Sequence, residues 1–348
     1  MSRRALTLMV AGFLTLLLGV VGAVLPVPYV VLSPGPTENT IGDVKGEPVI
    51  SIEGRETYPT SGKLSLVTVA YQGGPGNRID LFSALRGWVD PTVAVVPEET
   101  IFPPTSTAEE VDQQNIQEMT NSQDDATAAA LSELKIPYTA VVSVASVQKG
   151  FPADGKFRAG DEIVSIDGVR VIDRETVSSA VRKHKAGQKV TFAVKRAGQS
   201  TTLTVPTRAA EDGTPIVGIT MQIKYRFPFK VKINVGDVGG PSAGMMFSLG
   251  IMDKLTPGPM TGGKAIAGTG TITAEGEVGP IGGIQQKMVG ARKAGATVFL
   301  TPADNCAEAA RATPDGLKLI KVKTLHDAVQ AIDVVRTGSG TAPGCSAG

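Results

Sequence analysis

A serine and a lysine each lie in a glycine-rich setting that suits catalysis. Ser242 lies in residues 239–244, Gly-Gly-Pro-Ser-Ala-Gly, and Lys287 closes residues 279–287, Gly-Pro-Ile-Gly-Gly-Ile-Gln-Gln-Lys. A hydroxyl is a poor nucleophile until a base removes its proton, and small neighbours let a substrate backbone approach it. An amine can be that base if burial lowers its pKa toward neutrality. The two segments together therefore predict a Ser/Lys hydrolase.

Each segment on its own also has an ordinary structural interpretation. A lone Gly-Pro-Ser-Ala-Gly usually begins a helix with its serine as the N-cap. Lys287 read alone would be a solvated helix residue, because lysines are seldom fully buried. The two motifs together favour catalysis, with backbone N–H groups of the serine turn stabilising the oxyanion. Pro241 has no N–H group, so the donors must be Ser242 itself or residues elsewhere.

The two motifs, in this order and at this spacing, resemble the proteolytic domain of the Lon protease family. The chain as a whole resembles the membrane-anchored, PDZ-containing branch of that family, the YlbL-like proteins. This resemblance implies that Ser242 is the nucleophile and Lys287 the general base. It also implies that Thr269 orients the lysine and that Gly240 supports the serine turn. Lon proteins with an ATPase usually carry an acidic residue before Gly-Pro-Ser, where this chain has Gly239.

The N-terminus is typical of a membrane anchor. Residues 2–4, Ser-Arg-Arg, precede an uncharged apolar run over residues 5–25. A spanning helix needs about 20 such residues, whereas the apolar region of a signal peptide usually has about 7–15. A cleaved signal peptide and a buried core helix are the alternatives. The positive-inside rule predicts that residues 1–4 are cytoplasmic and that the catalytic part lies outside the cell membrane.

Residues 26–136 are predicted to form an extracytoplasmic region that is the first part of the protease fold. The segment around residues 63–134 resembles the first half of a Lon proteolytic domain. It includes an alternating strand and two helical patterns. These are the strand over residues 63–70, a helix over 79–88 with Leu81, Phe82, Leu85 and Trp88 on one face, and a helical region over 105–134 with a capping box of Thr107 and Glu110.

The middle of the chain resembles a PDZ domain over residues 137–208. The resemblance is carried by Gly160-Asp161-Glu162-Ile163-Val164-Ser165-Ile166-Asp167-Gly168 and the helix that follows it. PDZ domains bind extended peptides by adding a strand to a sheet edge. The usual glycine-containing carboxylate loop is not evident before the first strand. The residues in its place and one on the helix are predicted to contact the peptide: Ile136, Tyr138, Thr139 and His184.

The predicted fold class is α+β, with a transmembrane helix, a PDZ domain and a Lon-type proteolytic domain. The PDZ domain is expected to be inserted within the protease, between a helix ending near Lys135 and a strand beginning near Gly218. Residues 209–215 are a predicted linker. Residues 216–337 are expected to hold the catalytic dyad, and residues 338–348 are expected to form a flexible tail unless Cys345 holds it.

The remaining composition restricts the function further. The net charge is +1 and no basic patch with interleaved aromatics occurs, so no nucleic-acid partner is expected. Cys306 and Cys345 can form a disulfide in an oxidising compartment, the alternative being two unpaired thiols. With His184 and His326 as the chain's two histidines and no ligand clustering, no metal is expected.

The predicted function is an ATP-independent serine endopeptidase that cleaves unfolded or membrane-associated proteins, with no cofactor or nucleotide. A P-loop-like segment ends at Lys264, but Ala265 stands where Ser or Thr should bind magnesium. The alternative is a membrane-tethered PDZ scaffold with an inactive protease domain. The C-terminal processing proteases also join PDZ with Ser/Lys, but they lack the Gly-Pro-Ile-Gly-Gly motif. A homo-oligomeric ring is expected by analogy with other Lon-like proteases.

Overall fold

The computed structural model describes residues 3–236 and 238–347. Its backbone divides into two units. The first, here called the split unit, comprises the described residues up to 136 and those from 229 onward, and the second, the middle unit, comprises residues 137–228. Part of the predicted N-terminal segment 1–4 and the last residue of the predicted tail 338–348 lie outside the described residues.

The first segment of the split unit begins with an apolar helix. Its helices are α1 Arg3–Val24, α2 Leu81–Val89, α3 Glu98–Ile101 and α4 Ala108–Glu133. Its strands are β1 Pro26–Val27, β2 Tyr29–Asn39, β3 Asp43–Val44, β4 Glu47–Pro48, β5 Ile50–Glu53, β6 Lys63–Gln72, β7 Ile79–Asp80 and β8 Ala94–Pro97. Helix α1 has 22 residues and is long and apolar enough to cross a membrane.

The middle unit is a five-stranded antiparallel sheet, to which a short strand is added, with one helix. Its elements are β9 Thr139–Val147, β10 Glu162–Ile166, β11 Val169–Arg170, α5 Arg174–Arg182, β12 Lys189–Arg196, β13 Gln199–Pro206, β14 Arg208–Ala209, β15 Pro215–Ile216 and β16 Ile219–Arg226. The sheet order is β13-β12-β10-β9-β16. Its core includes Phe157 and Phe192, whose rings pack edge to face.

Strand β16 belongs to the middle unit and not to the proteolytic segment predicted over 216–337. Strand β16 pairs with β9 from Ile219↔Val147 to Arg226↔Thr139. The sequence assigned this strand to the proteolytic segment 216–337 and ended the PDZ domain at 208. The alternating pattern was recognised as a strand, but its pairing partner lies in the preceding unit and not in the following one. The unit therefore runs to residue 228.

The second segment of the split unit returns to the sheet that the first segment began. Its elements are β17 Lys230–Ile233, α6 Gly244–Leu255, β18 Ala265–Gly268, β19 Thr271–Ile272, β20 Val278–Gly279, α7 Ile284–Lys293, β21 Val298–Pro302, α8 Cys306–Arg311, β22 Lys318–Val322 and α9 Leu325–Thr337. The main sheet has the order β22-β21-β18-β6-β2-β8. Strands β6, β18, β21 and β22 are parallel, while β2 pairs antiparallel with both β6 and β8.

Helices cover both faces of this sheet, as expected for buried parallel strands. Val67 on β6 and Ala267 on β18 pack with helix α7 in one buried cluster. On the opposite face, a Cβ built on Gly268 would lie 2.8 Å from the sulfur of Met246 on α6. Helix α4 packs against α6 on that side. The predicted α+β class is confirmed.

The C-terminal tail is held against the split unit, although the sequence predicted a flexible segment over 338–348. Cys306 and Cys345 are joined by a disulfide, with their Cα atoms 4.9 Å apart. The Lys321 N–H also donates to the Pro343 carbonyl at 2.8 Å. Cys345 packs against the buried cluster beneath α7 and α8. The tail is thus held at Cys345, the residue that the sequence gives as able to hold it through a disulfide with Cys306.

Candidate active site

Helix α4 holds the turn that carries Ser242. Gly240 has a φ of +82°, a conformation that glycine adopts without steric cost, and its N–H donates to the Asn115 carbonyl at 3.2 Å. The Ser122 hydroxyl donates to the Pro241 carbonyl at 3.1 Å. Both partners lie on α4, so the turn is fixed by a helix that precedes the middle unit in sequence.

Ser242 is not a helix cap. The N-cap of α6 is Ala243, and no side chain caps this helix. The structural alternative for Ser242, a capping serine, is therefore wrong. The hydroxyl of the half-buried Ser242 instead meets the amine of Lys287.

Lys287 lies on the buried face of α7. Ile284, Met288 and Ala291 occupy the same face at helical spacing and are fully buried. The helix begins at Gly283, whose φ of +66° is left-handed and where a Cβ would lie 2.6 Å from Val69. Lys287 is 3% exposed, because the close approach of this helix to the sheet leaves its amine little contact with water.

Among the described residues, two hydroxyl side chains contact the Lys287 amine. The Nζ of Lys287 is 2.8 Å from the Ser242 Oγ and 3.1 Å from the Thr269 Oγ1. The Thr269 hydroxyl donates its own proton to the Ser242 carbonyl at 3.0 Å. Thr269 can therefore only accept a hydrogen bond from the lysine. In the neutral amine, this arrangement leaves the nitrogen lone pair free to face the serine hydroxyl.

Burial decides the charge of this lysine. Loss of hydration lowers the pKa of Lys287 from 10.5 to about 7. An ammonium group has three donors, and among the described residues the Nζ has two hydrogen-bond partners, both of them hydroxyls. The environment therefore favours the neutral amine, which is the form that can accept a proton.

The dyad opens on a cleft of about 770 Å³. Val69 and Tyr71 from β6 line one part of it, and Asn115 and Ile116 from α4 line another. Ile116 and Tyr71 are 66% and 48% exposed, so the cleft presents apolar side chains to solvent. An open cleft with apolar walls and a polar reactive centre suits an extended peptide.

The middle unit has a separate groove of about 250 Å³. Helix α5 contributes Val177 and Val181, and the other wall contains Ile216, Ile219 and Met221. Strand β16 is the outermost strand on this side of the sheet, beside β9. A groove between an edge strand and a helix is the arrangement by which a peptide joins a sheet as a further strand.

None of the four residues predicted to contact peptide lines this groove. Strand β9 is paired with β16 along its length, from Thr139↔Arg226 to Val147↔Ile219, and with β10 at Ser143↔Glu162. Tyr138 packs against Tyr225 and Phe227. Ile136 donates its N–H to Leu131 at the end of α4. The sequence places the peptide-binding strand first in the unit, whereas this groove lies beside β16, the last strand of the unit.

His184 is likewise turned away from the groove. Its Nδ1 is 3.1 Å from the Ala180 carbonyl, and its Nε2 is 3.2 Å from a carboxylate oxygen of Asp167. Both contacts lie within the middle unit and fix the end of α5 to the β10–β11 turn. In the sequence, this wall of the groove corresponds to Gly218 and the alternating residues of β16 that follow it.

Comparison with protein families matches two parts of the chain. Residues 115–207 match the PDZ domain family, and residues 229–335 match the Lon protease (S16) C-terminal proteolytic domain. The second match includes the turn of Ser242, Thr269 and Lys287.

Curated relatives named Lon protease match the same region. Lon protease 1 of Sorangium cellulosum is 45% identical over 69 residues, which cover 20% of this chain and 8% of the relative. The Lon protease of Heliobacterium modesticaldum is 32% identical over 114 residues, covering 32% and 13%. Lon protease 1 of Bacillus subtilis is 33% identical over 94 residues, covering 26% and 12%. The chain thus spans only a small fraction of the length of these relatives.

A solved PDZ domain of an SdrC-like protein from Listeria innocua is 29% identical and covers 24% of this chain and 93% of its own. Its TM-score is 0.23, so the PDZ assignment depends on the family match alone. The chain combines a PDZ domain with a serine-peptidase domain. Residues 229–335 match the Lon-type (S16) proteolytic domain, which confirms the predicted resemblance.

The buried lysine predicts an unusual dependence of stability on pH. The folded-state pKa lies below the unfolded value, so the free energy of unfolding falls as pH decreases from 10.5 to about 7. Lys287→Met removes this penalty. We expect the variant to gain about 4 kcal/mol over the wild type at pH 7 and less than about 1 kcal/mol at pH 10.

Thermal or urea unfolding of the full chain across this pH range measures the difference. Lys293→Met is the matched control, since Lys293 is exposed on the same helix. Its stability difference from the wild type should not vary with pH in the same way. An equal pH dependence in both variants would contradict a depressed pKa at Lys287.

Proposed function

We propose that this chain is an ATP-independent, membrane-anchored serine endopeptidase in which Ser242 is the nucleophile and Lys287 the general base. The observation that carries the proposal is the 2.8 Å contact between the Ser242 hydroxyl and an amine whose pKa burial lowers to about 7. A catalytic base works best when its pKa is near the working pH. Thr269 is a positioning residue, since it acts on the lysine rather than on the substrate.

In the proposed reaction, neutral Lys287 accepts the hydroxyl proton as the Ser242 Oγ attacks the scissile carbonyl carbon. The carbonyl oxygen becomes an oxyanion. The Lys287 ammonium then gives its proton to the leaving nitrogen, the C–N bond breaks and an acyl-enzyme forms. A water molecule, deprotonated by the same amine, then attacks the ester carbonyl. The ester C–O bond breaks, the Lys287 ammonium returns a proton to the Ser242 Oγ, and the carboxylic acid product leaves.

The start of α6 suits the oxyanion. Among the described residues, the N–H groups of Ser242 and Ala243 make no hydrogen bond, and they lie where the positive end of the helix dipole is expected. We assign the oxyanion to these two groups. The Gly240 N–H is a weaker candidate, because it donates to Asn115. Gly240 then acts by shaping the turn rather than by binding the oxyanion.

The proposed location is the cell membrane, with the N-terminus in the cytoplasm and both units outside. Helix α1 supports this assignment, because its 22 residues are long and apolar enough to cross a membrane. Arg3 and Arg4 precede its uncharged part, as the positive-inside rule requires for this orientation. The disulfide supports an oxidising compartment. Substrates would then be unfolded or membrane-associated proteins outside the cytoplasm.

The residues before and after the middle unit together supply the proposed proteolytic fold. Strand β6 from the first segment lies beside β18 from the second, and β5 pairs with β17. These pairings support an insertion of the PDZ domain into the protease. We propose that the groove beside β16 binds extended peptide segments and delivers or regulates substrates. A homo-oligomeric ring stays a prediction, which light scattering in detergent can test.

The dyad predicts a defined pattern of activity. Full-length wild type in detergent should cleave an unfolded protein such as reduced casein without ATP. The initial rate should rise with pH to a plateau above about 7, because only the neutral amine accepts the proton. Ser242→Ala and Lys287→Ala should each lose at least about a thousandfold in rate. Mass spectrometry of the products measures both the rate and the cut sites.

Lys293→Ala serves as a control on the same helix and should cleave like the wild type. ATP should leave the wild-type rate unchanged. If folded wild type cleaves nothing between pH 6 and 10, the chain is a scaffold with an inactive protease domain. If Lys287→Ala retains full activity, another residue is the base.

The groove beside β16 predicts where peptides bind. Ser178 is half-buried and lines the groove, so Ser178→Trp should fill it and weaken binding of a fluorescein-labelled heptapeptide ending in valine at least tenfold. Lys183→Trp, on exposed helix-end surface outside the groove lining, should bind like the wild type. Fluorescence anisotropy with the full chain measures the affinity. Equal affinity in Ser178→Trp and the wild type would rule out this groove.

A further inference from the structure

Helix α2 has its small residues inward and its large apolar residues outward. Ala84 and Gly87 are buried against the sheet, and a Cβ on Gly87 would lie only 2.6 Å from Val95. The outward residues are all substantially exposed: Phe82 49%, Leu85 43%, Trp88 55% and Val89 83%. A helix on a water-facing surface normally shows the reverse pattern. We call this outward face the α2 face. Its exposed apolar side chains favour contact with an environment less polar than water.

The α2 face lies beside the end of helix α1. A Cβ built on Gly22 would lie 3.2 Å from the Phe82 ring, so the two helices touch there. Gly22 is two residues before the end of α1 at Val24, which corresponds to about 3 Å along the helix axis. The whole helix spans about 33 Å, close to the thickness of the hydrocarbon core. If α1 crosses a bilayer, the contact with α2 lies at the bilayer's outer boundary.

The aromatic residues at this position fit a membrane interface. Trp88 packs edge to face against Tyr29, with ring centroids 5.6 Å apart. Tryptophan and tyrosine are enriched at the level of the lipid headgroups. Arg86 is exposed in the last turn of α2, where it can reach lipid phosphates. The amphipathic helix and its aromatic residues together have the composition of an interfacial element.

We propose that the α2 face docks on the lipid surface of the same bilayer that α1 spans, so that the split unit is attached to the membrane at two places. The inference depends on the proposed membrane anchor. A lipid surface is the partner that the geometry favours, because the α2 face is continuous with the apolar surface of α1 where Gly22 contacts Phe82. Attachment through both elements restricts rotation of the split unit about the axis of α1.

The chain itself supplies the probe, because Trp88 is its only tryptophan. Full-length protein in nanodiscs, at one copy per disc, is prepared with ordinary phosphatidylcholine and with phosphatidylcholine brominated at different depths. We expect bromination near the headgroups to quench Trp88 fluorescence at least twofold, and bromination near the bilayer centre to quench it less. Leu85→Asp and Val89→Asp together should reduce this quenching and shift the emission to the red.

Two further variants complete the test, each with Trp88→Phe and a single tryptophan introduced elsewhere. Leu14→Trp, in the middle of α1, should be quenched by deeply brominated lipid and reports the anchor alone. Ala307→Trp, exposed on α8 at the opposite edge of the main sheet, should not be quenched. Quenching at Leu14→Trp without quenching of Trp88 overturns the inference and leaves the anchor intact. No quenching at Leu14→Trp overturns both, and equal quenching at Ala307→Trp rules out a specific role for the α2 face.

Discussion

The desolvation of one amine is the constraint on which the rest of the site depends. A pKa that falls from 10.5 to about 7 corresponds to about 5 kcal/mol against the charged form of Lys287. Burial is the cause of this shift, and among the described residues the two hydrogen-bond partners of the amine are hydroxyls, which carry no charge to offset the penalty. A residue that is costly to bury must be held in place by surrounding structure. Here the apolar face of α7 holds Lys287 in place, because the other buried residues of that face, Ile284, Met288 and Ala291, pack against the sheet.

The serine is positioned by equally distant parts of the chain. Ser122 on α4 donates a hydrogen bond to the carbonyl of Pro241 in the serine turn, although the two residues are 119 positions apart in the sequence. Thr269 follows β18, which lies between strands from the two segments of the split unit. The dyad therefore forms only when residues on both sides of the middle unit have folded together. A domain inserted at this point lengthens the connection without interrupting the sheet, since loop-closure entropy grows slowly with length.

Local chemistry made much of the site predictable from sequence. The glycine-rich motifs identified Ser242 and Lys287 as candidates, and the structure brings these two residues and Thr269 within hydrogen-bonding distance. The capping box of Thr107 and Glu110 is present at the start of α4. These features depend on residues close together in the chain or on motifs whose order is itself informative. Burial of Lys287 also follows from helical spacing, because it shares a face with apolar residues.

Features that depend on pairing between distant segments were not predictable in the same way. The alternation in β16 indicates a strand but not its partner, and none of the four residues predicted to contact peptide lines the groove beside this strand. The helical pattern of α2 indicated an apolar face but not its direction. That direction is set by Ala84 and Gly87, whose small size lets the helix approach the sheet closely. Periodicity defines faces, whereas packing decides which face is covered.

The most direct measurement is the pKa of the Lys287 amine. Full-length protein labelled with 13C at lysine Cε can be titrated by NMR in detergent micelles, with Lys287→Arg used to assign the resonance. The account predicts one lysine resonance that titrates near pH 7 and is absent from the variant. A Lys287 resonance that titrates near 10.5 would contradict the account, because the amine would then be charged at neutral pH and unable to accept the serine proton.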